Sequence, residues 1–289
     1  MTAQPRINTP TGAPIGVFDS GIGGVTVLGA LARRFPHENF VYLGDTARLP
    51  YGAKSPATIL RYLEQNLAHL RRLHTKAIVV ACNSASTALA VANREDTLPI
   101  YEVIEPGAQA ALAAAPSGRI AVLGTRATIL SGAYERAIMR RRPDAKVWSQ
   151  ACPLLVPLVE EAWEADPITN LIVYRYLQGL LENRPEAIIL GCTHYPVLRA
   201  SIARAAGPEI KLIDAAEAVA DAISADIASG VLEAAPAQPL RSLAARVRCQ
   251  ITDASPGFAR AAARLMSHSS AESLGALELV DLEAPPLRT

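Results

Sequence analysis

The feature that most constrains the fold is a stretch that occurs twice, each time as a short apolar strand ending in a cysteine. The first copy is Ala-Ile-Val-Val-Ala-Cys at 77–82, and the second is Ala-Ile-Ile-Leu-Gly-Cys at 187–192. Short apolar runs rich in β-branched residues are typical of strands buried in a parallel sheet. We therefore expect Cys82 and Cys192 to occupy corresponding strand ends, 110 positions apart in the chain.

A second pair of similar stretches supports a duplicated architecture. Ile-Gly-Val-Phe-Asp-Ser at 15–20 corresponds to Ile-Ala-Val-Leu-Gly-Thr at 120–125, 105 positions further on. Each of these stretches precedes its cysteine strand by a similar distance, and the two pairs keep the same order. A repeat of about half the chain predicts two similar α/β halves rather than a solenoid of short repeats.

Strands alternate with helical patterns along the whole chain, which is typical of the α/β class with mainly parallel sheets. Ligands of such sheets bind beyond the carboxyl ends of the strands. Four polar or nucleophilic residues are expected at such ends, namely Cys82, Cys192, Ser20 and Thr125.

Local signals predict where several elements begin and end. Ser55 is expected to cap a helix that starts at Pro56. A second helix is predicted from Cys82 to about Asn93, in an alanine-rich stretch. Glu-Pro-Gly at 105–107 is interpreted as a break in the chain and as the first domain boundary.

Composition and charge argue against several classes of function. The chain has 289 residues, of which half are hydrophobic and 19% charged, as expected for one large or two medium globular domains. The formal net charge of +1 argues against a nucleic-acid binder. No apolar run reaches the length of a membrane span, and residues 1–14 form a polar tail without the apolar core of a secretory signal. We expect a cytoplasmic protein with neither nucleic acid nor membrane as a partner.

The four cysteines are expected to be thiols. Cys82, Cys152, Cys192 and Cys249 are widely spaced and contain no C-x-x-C pair for zinc or redox chemistry. No metal site is predicted around Cys82 or Cys192. Cys152 and Cys249 lack neighbouring polar partners in the sequence and are interpreted as packing residues.

A glycine-rich turn follows the first predicted strand. Asp-Ser-Gly-Ile-Gly-Gly at 19–24 fails the dinucleotide pattern G-x-G-x-x-G, whose last glycine would fall at Thr26. A dinucleotide cofactor is therefore not predicted. Backbone N–H groups of such a turn can still approach an anion such as a carboxylate, although the glycines can also serve only to permit a tight turn.

Two thiols at corresponding strand ends allow several interpretations. A single buried cysteine is usually a packing residue, and two in contact could form a disulfide switch. Cys192 with the nearby His194 could act as a nucleophile, but that leaves Cys82 unexplained. General acid–base catalysis from opposite faces of one carbon uses both thiols and would invert a stereocentre without a cofactor. Because each cysteine precedes a predicted helix, we expect both to form thiolates readily.

Four ordered motifs resemble those of the glutamate racemase family, within the cofactor-independent aspartate/glutamate racemase superfamily. They are Asp-Ser-Gly-Ile-Gly-Gly at 19–24, Leu-Pro-Tyr-Gly at 49–52, Ala-Cys-Asn-Ser-Ala-Ser at 81–86 and Gly-Cys-Thr-His-Tyr-Pro at 191–196. The likeness also includes residues 123–128 and 152–160 and extends from about residue 15 to residue 282. Motifs of this length in this order are far more specific than either cysteine alone.

The resemblance implies two pseudo-symmetric, doubly wound α/β domains with the active site in the cleft between them. The first domain would comprise residues 1–104 and 215–289, and the second residues 105–214. The substrate would be glutamate, converted without a cofactor, and the D-glutamate formed would supply peptidoglycan precursors. A homodimer is compatible with this interpretation, although nothing in the residues decides it.

The resemblance also implies roles for individual residues. Cys82 would be the base for one enantiomer and Cys192 for the other, assisted by Asp19 and His194. Substrate contacts would come from Asp19, Ser20, Tyr51, Gly52, Asn83, Ser84, Thr193 and His194, together with Thr125, Thr128 and Glu160. The family commonly has threonine at the position of Ser84, so this chain keeps the hydroxyl and loses a methyl group.

Two rival hypotheses remain open at this point. A sister enzyme could use the same thiol pair on aspartate or another acid, or could be a decarboxylase. Alternatively, a binding module could have kept the cleft and lost turnover, although the presence of both cysteines counts against this. The choice of glutamate over aspartate depends on the family resemblance.

Overall fold

The computed structural model describes residues 12–92, 98–237, 239–254, 257–269 and 274–282. The predicted tail is described only from residue 12, and the predicted helix end at Asn93 lies outside the described residues. The strands, in chain order, are β1 (Ile15–Asp19), β2 (Phe40–Gly44), β3 (Ala77–Val80), β4 (Ile100–Glu102), β5 (Arg119–Gly124), β6 (Lys146–Ala151), β7 (Ala187–Gly191), β8 (Lys211–Ile213), β9 (Val247–Ile251) and β10 (Leu277–Leu279).

Helices separate most of these strands. They are α1 (Val25–Arg34), α2 (Pro56–Arg72), α3 (Asn83–Ser86), α4 (Ile104–Ala114), α5 (Arg126–Leu130), α6 (Ala133–Arg141), α7 (Leu155–Glu160), α8 (Pro167–Leu181), α9 (Arg199–Ala206), α10 (Ala215–Ala228) and α11 (Phe258–Ser269). Short 3₁₀ turns occur at Thr46–Arg48, Tyr51–Ala53, Leu89–Val91, Tyr195–Leu198 and Leu243–Ala245. No helix in the described part of the chain has both the length and the apolar character needed to cross a bilayer.

The strands form two sheets in which every pairing is parallel. The first sheet has the order β10-β9-β2-β1-β3-β4, and the second has the order β6-β5-β7-β8. In the first sheet β1 pairs with both β2 and β3, and in the second β5 pairs with both β6 and β7. This arrangement confirms the predicted α/β class with parallel sheets.

The two predicted cysteine strands occupy corresponding places in the two sheets. β3 lies beside the central strand β1, and β7 lies beside β5. All four residues of β3 and all five of β7 are buried, as expected for apolar strands covered on both faces. The duplication inferred from the sequence is therefore matched by equivalent strand positions.

One hydrophobic cluster continues from one sheet to the other. It includes Val17 and Val79 of the first sheet and Ala121 and Leu190 of the second. Strands of the first sheet come from both ends of the chain, whereas those of the second fall within residues 119–213. The domain boundaries at residues 104 and 214 stay a prediction.

Several local predictions are confirmed and others are wrong. The side chain of Ser55 accepts a hydrogen bond from the backbone N–H of Thr58, and Pro56 occupies the first turn of α2, as predicted. The stretch 105–107 is not a break, because it lies inside α4. Proline is tolerated there since the first turn of a helix needs no N–H donor from that position.

The predicted helix after Cys82 is also much shorter than expected. It consists of one turn, α3, followed by the 3₁₀ turn Leu89–Val91. The hydroxyl of Ser86 donates to the carbonyls of Val80 and Cys82, which ties the start of the helix back to the strand. Serine competes with the backbone for such hydrogen bonds and so disfavours a continuous helix.

Candidate active site

A cavity of about 170 Å³ lies where the carboxyl ends of the two sheets meet. Both Cys82 and Cys192 line it, each placed directly beyond its buried strand. The lining residues are Ser20, Gly21, Leu49, Pro50, Tyr51, Gly52, Ala53, Cys82, Asn83, Ser84, Thr125, Arg126, Pro153, Val156, Pro157, Glu160, Cys192, Thr193 and His194. The duplicated motifs thus bring two thiols to one shared space.

Cys82 occupies the N-cap position of α3 and is almost fully buried. Its Sγ lies 3.4 Å from the hydroxyl oxygen of Ser20, to which the thiol donates. Burial raises the pKa of the Cys82 thiol to about 12, and the nearby carboxylate of Asp19 acts in the same direction. The expectation that Cys82 forms a thiolate readily is therefore wrong, because one turn of helix does not offset burial.

Cys192 has a different neighbour. Its Sγ lies 3.8 Å from the Nδ1 atom of His194, and the Nε2 atom of the same ring lies 3.3 Å from an oxygen of Glu160. Burial lowers the pKa of His194, but its contacts with Cys192 and Glu160 outweigh burial and raise that pKa to about 10. With its pKa raised in this way, the ring is an imidazolium at neutral pH and places a positive charge beside the sulfur of Cys192.

Asp19 lies behind the cavity wall rather than in it. Its carboxylate is fully buried and accepts a hydrogen bond of 3.0 Å from the backbone N–H of Gly21. The hydroxyl of Thr193 donates to the other oxygen at 3.4 Å, which joins the first glycine-rich turn to the second cysteine motif. Burial raises the pKa of Asp19, although the charge of His194 and the hydrogen bonds oppose this effect.

A row of polar side chains connects the two halves across the cavity. The hydroxyls of Ser84 and Thr125 are 2.8 Å apart, and Thr125 is in turn 3.0 Å from the hydroxyl of Thr128. Asn83 accepts a hydrogen bond of 2.6 Å from the hydroxyl of Tyr134 through its side-chain oxygen. That bond leaves the amide N–H₂ of Asn83 as the group free to donate to a ligand.

The comparison with known proteins agrees with this arrangement. The Asp/Glu/hydantoin racemase family model matches residues 25–223. The chain belongs to this family. A glutamate racemase of Syntrophus aciditrophicus is 48% identical over 216 residues, which cover 74% of this chain and 80% of the relative.

Solved structures of racemases have the same fold. The structure of a glutamate racemase isoform from Bacillus anthracis has a TM-score of 0.85 at 33% identity, covering 93% of this chain and 98% of that one. A glutamate racemase of Francisella tularensis, solved in complex with D-glutamate, has a TM-score of 0.83 at 32% identity, covering 95% of this chain and 99% of that one. These likenesses confirm the family resemblance and the fold inferred from the sequence.

In this racemase family member, most of the predicted site residues lie together. All of them line the cavity except Asp19 and Thr128, which contact lining residues from behind. Their roles in binding and catalysis stay predictions. Cys152 and Cys249 belong to the hydrophobic cluster and do not line the cavity, in agreement with the interpretation that they are packing residues.

Tyr51 and Gly52 line the cavity in different ways. The hydroxyl of Tyr51 donates to Asp45 and accepts from the side-chain amide of Asn66, so it belongs to a buried network. Gly52 lies so close to Thr125 that an added Cβ would be 2.6 Å from the threonine Cβ. Glycine at position 52 therefore permits the close approach of the two halves at this edge of the cavity.

Sequence reasoning missed several residues of this racemase site. Those in the cavity wall are Gly21, Leu49, Pro50, Ala53, Arg126, Pro153, Val156 and Pro157. Most of them lie inside the family motifs, so a prediction that included every residue of each motif would have found them. Arg264 of α11 was also missed. Its guanidinium donates to the carbonyls of Val159 and Glu160, about a hundred positions away in the sequence, and no motif indicates this contact.

Proposed function

We propose that the protein is a glutamate racemase that interconverts L- and D-glutamate with Cys82 and Cys192 as its two acid–base groups. The observation that carries the proposal is the shared cavity, which two thiols from corresponding strands of separate sheets both line. One thiol on each face of a carbon is the arrangement that inversion by two-base catalysis needs. Relatives named glutamate racemase, including the one solved with D-glutamate, support glutamate as the substrate.

Each half-reaction starts from its own protonation state of the two thiols. One half-reaction starts with Cys192 as the thiolate and with Cys82, whose pKa is raised by burial, as the thiol. In this state Cys192 accepts the α-proton of one enantiomer, so that an S–H bond forms and the C–H electron pair stays on the substrate. The Cys82 S–H bond then breaks, and its proton bonds to the opposite face of the same carbon.

The reverse direction starts from the opposite protonation state. Cys82, as the thiolate, takes the proton from the other enantiomer, and the thiol of Cys192 returns one. A thiolate that forms at Cys82 is a strong base, because the thiol has a raised pKa. The two half-reactions therefore use the same two sulfur atoms in exchanged roles.

The negative charge on the substrate requires stabilisation by fixed donors. An amino acid has a weakly acidic α-hydrogen, so preorganised donors in a site that excludes water are the main source of rate acceleration. The side-chain amide of Asn83 and the hydroxyls of Ser20, Ser84 and Thr193 line the cavity. We assign these groups to the α-amino and carboxylate groups of glutamate, with Asp19 acting through Thr193.

The proposal includes a place for the reaction in the cell. Thiols that must stay reduced suit the cytoplasm, and D-glutamate formed there would supply peptidoglycan precursors. Every residue used comes from one chain, so a homodimer is compatible with the mechanism but is not required by it.

Incubation with L-glutamate in deuterium oxide tests the proposal. We expect the circular dichroism of the amino acid to decay to zero, with deuterium at the α-carbon of the D-glutamate formed. Cys82→Ala and Cys192→Ala should each abolish the decay. Activity confined to L-aspartate would replace glutamate as the substrate, and normal turnover by either cysteine variant would overturn the two-thiol mechanism.

A further inference from the structure

A second cavity adjoins the reaction cavity. It has a volume of about 500 Å³ and shares Gly52, Ala53 and Arg126 with the reaction cavity. We call this second cavity the outer basin. Its described lining residues are Gly52, Ala53, Lys54, Pro56, Ala57, Ile59, Leu60, Thr87, Ala88, Arg126, Ala127, Leu130, Ser131 and Arg136.

The charges of the outer basin all have the same sign. Lys54, Arg126 and Arg136 line it, and no aspartate or glutamate does so among the described residues. No carboxylate in the described part of the chain forms an ion pair with any of the three. This is a local feature, because the chain as a whole has a net charge of only +1.

The three cations differ in their position. Arg136 is exposed, and its guanidinium donates to the carbonyl of Ser131 at 2.7 Å. Lys54 lines only the outer basin, whereas Arg126 is exposed and lines both cavities. Arg126 therefore lies between the basin and the cavity that holds the two cysteines.

A concave surface with charges of one sign and apolar walls concentrates ions of the opposite sign, and it can raise association rates by about 10- to 1,000-fold. Glutamate carries two carboxylates and one ammonium group at neutral pH, so it has a net negative charge, whereas a neutral amino acid has none. We propose that the outer basin is a capture site for the dicarboxylate amino acid, and that Arg126 passes it to the reaction cavity. This inference rests on the proposed function. It assigns to the basin cations the selective binding of dicarboxylate amino acids before the proton-transfer steps.

Substitution of the basin cations at two salt concentrations tests the inference. At about 10 mM salt, where the Debye length is roughly 30 Å, we expect Lys54→Gln and Arg126→Gln to lower kcat/KM for glutamate about tenfold, mainly through KM. At about 150 mM salt, where the Debye length is roughly 8 Å, the difference from wild type should shrink to less than threefold. Lys146→Gln is the matched control, since Lys146 is exposed at the start of β6 and lines neither cavity.

Each other outcome overturns the inference. Variants with wild-type kcat/KM at low salt would show that the basin does not capture substrate. A loss at Arg126 that persists unchanged at high salt, without any loss at Lys54, would indicate a direct contact in the reaction cavity instead.

Calorimetric titration with L-glutamate and with L-glutamine, which has no net charge, separates this inference from the proposed function. Weaker, salt-dependent binding of glutamate alone in both variants would support capture even in a protein that did not racemise glutamate. Equal changes in the binding of glutamate and glutamine would overturn it.

Discussion

The Sγ atom of Cys192 lies 3.8 Å from the Nδ1 atom of His194, which pairs the second thiol with an imidazolium. Cys82 occupies the corresponding position of the other half, but its sulfur contacts the hydroxyl of Ser20. The two thiols therefore occupy equivalent positions in the fold but have different electrostatic surroundings. Cys192 has a charged neighbour and Cys82 a neutral one.

Glu160→Gln is expected to reduce the pH dependence of stability. The folded protein holds the pKa of His194 at about 10, above its ordinary value of 6.5, and the contact with Glu160 contributes to this shift. A group whose pKa is raised by folding stabilises the folded state fully below its unfolded-state pKa. That contribution is lost as the pH rises through its folded-state pKa. The free energy of unfolding of the wild type should therefore fall between pH 6.5 and about 10.

Urea denaturation across this pH range measures the effect. The glutamine keeps the size of the side chain and removes its charge, so the decline should be smaller in the variant. Parallel curves for the two proteins would show that Glu160 does not support the charge of His194.

Gly52→Ala is expected to lower kcat by about 100-fold, the loss typical of displacing reacting groups by about 1 Å. The added Cβ would lie 2.6 Å from the Cβ of Thr125, so the 3₁₀ turn Tyr51–Ala53 must move away from α5. Steady-state racemisation assays measure the loss. Gly179→Ala is the matched control, because a Cβ at that position in α8 meets no atom within 4 Å.

Much of this site could be predicted from the sequence because its parts are set by local patterns. The duplicated strands place Cys82 and Cys192 at strand ends, and a parallel sheet puts such ends on one side of the molecule. Family motifs then identify most of the polar residues around them. Patterns of this kind depend on neighbours in the chain, which a sequence displays directly.

The remaining features depend on contacts between distant segments. Burial, not the following helix, controls the pKa of Cys82, and no motif reports burial. Asp19 is turned toward Gly21 and Thr193, and the hydroxyl of Tyr51 toward Asp45, because tertiary packing decides those hydrogen bonds. The sequence could place these residues near the site but could not distinguish the cavity wall from the layer behind it.

Ser84→Ala is expected to raise KM by several-fold while leaving the protein folded. The hydroxyl of Ser84 lies 2.8 Å from that of Thr125 and connects the two halves across the cavity. We propose that the same hydroxyl also bonds glutamate, and loss of one hydrogen bond costs about 1 kcal/mol, which corresponds to a factor of about five in an equilibrium constant. Racemisation kinetics provide the measurement, and Ser84→Thr, which keeps the hydroxyl, should retain near wild-type KM. Equal KM values for the alanine variant and the wild type would remove Ser84 from the binding groups.

Arg264→Gln is expected to lower kcat several-fold, although Arg264 does not line the reaction cavity. Its guanidinium donates to the carbonyls of Val159 and Glu160 at the end of α7, and its Nε atom lies 3.2 Å from an oxygen of Glu164. A cation at a helix C-terminus stabilises the last carbonyls, so its loss should loosen the turn that holds Glu160 against His194.

The pH profile of kcat distinguishes this positioning role from a general loss of stability. We expect activity to decline at alkaline pH as His194 loses its proton. With Glu160 less firmly held, the pKa of His194 should fall, so this decline should begin at lower pH than in the wild type. Arg260→Gln on the same helix is the control, because Arg260 is exposed and its substitution removes the same charge. A lower kcat with an unchanged pH profile would mean that Arg264 stabilises α11 without acting on His194.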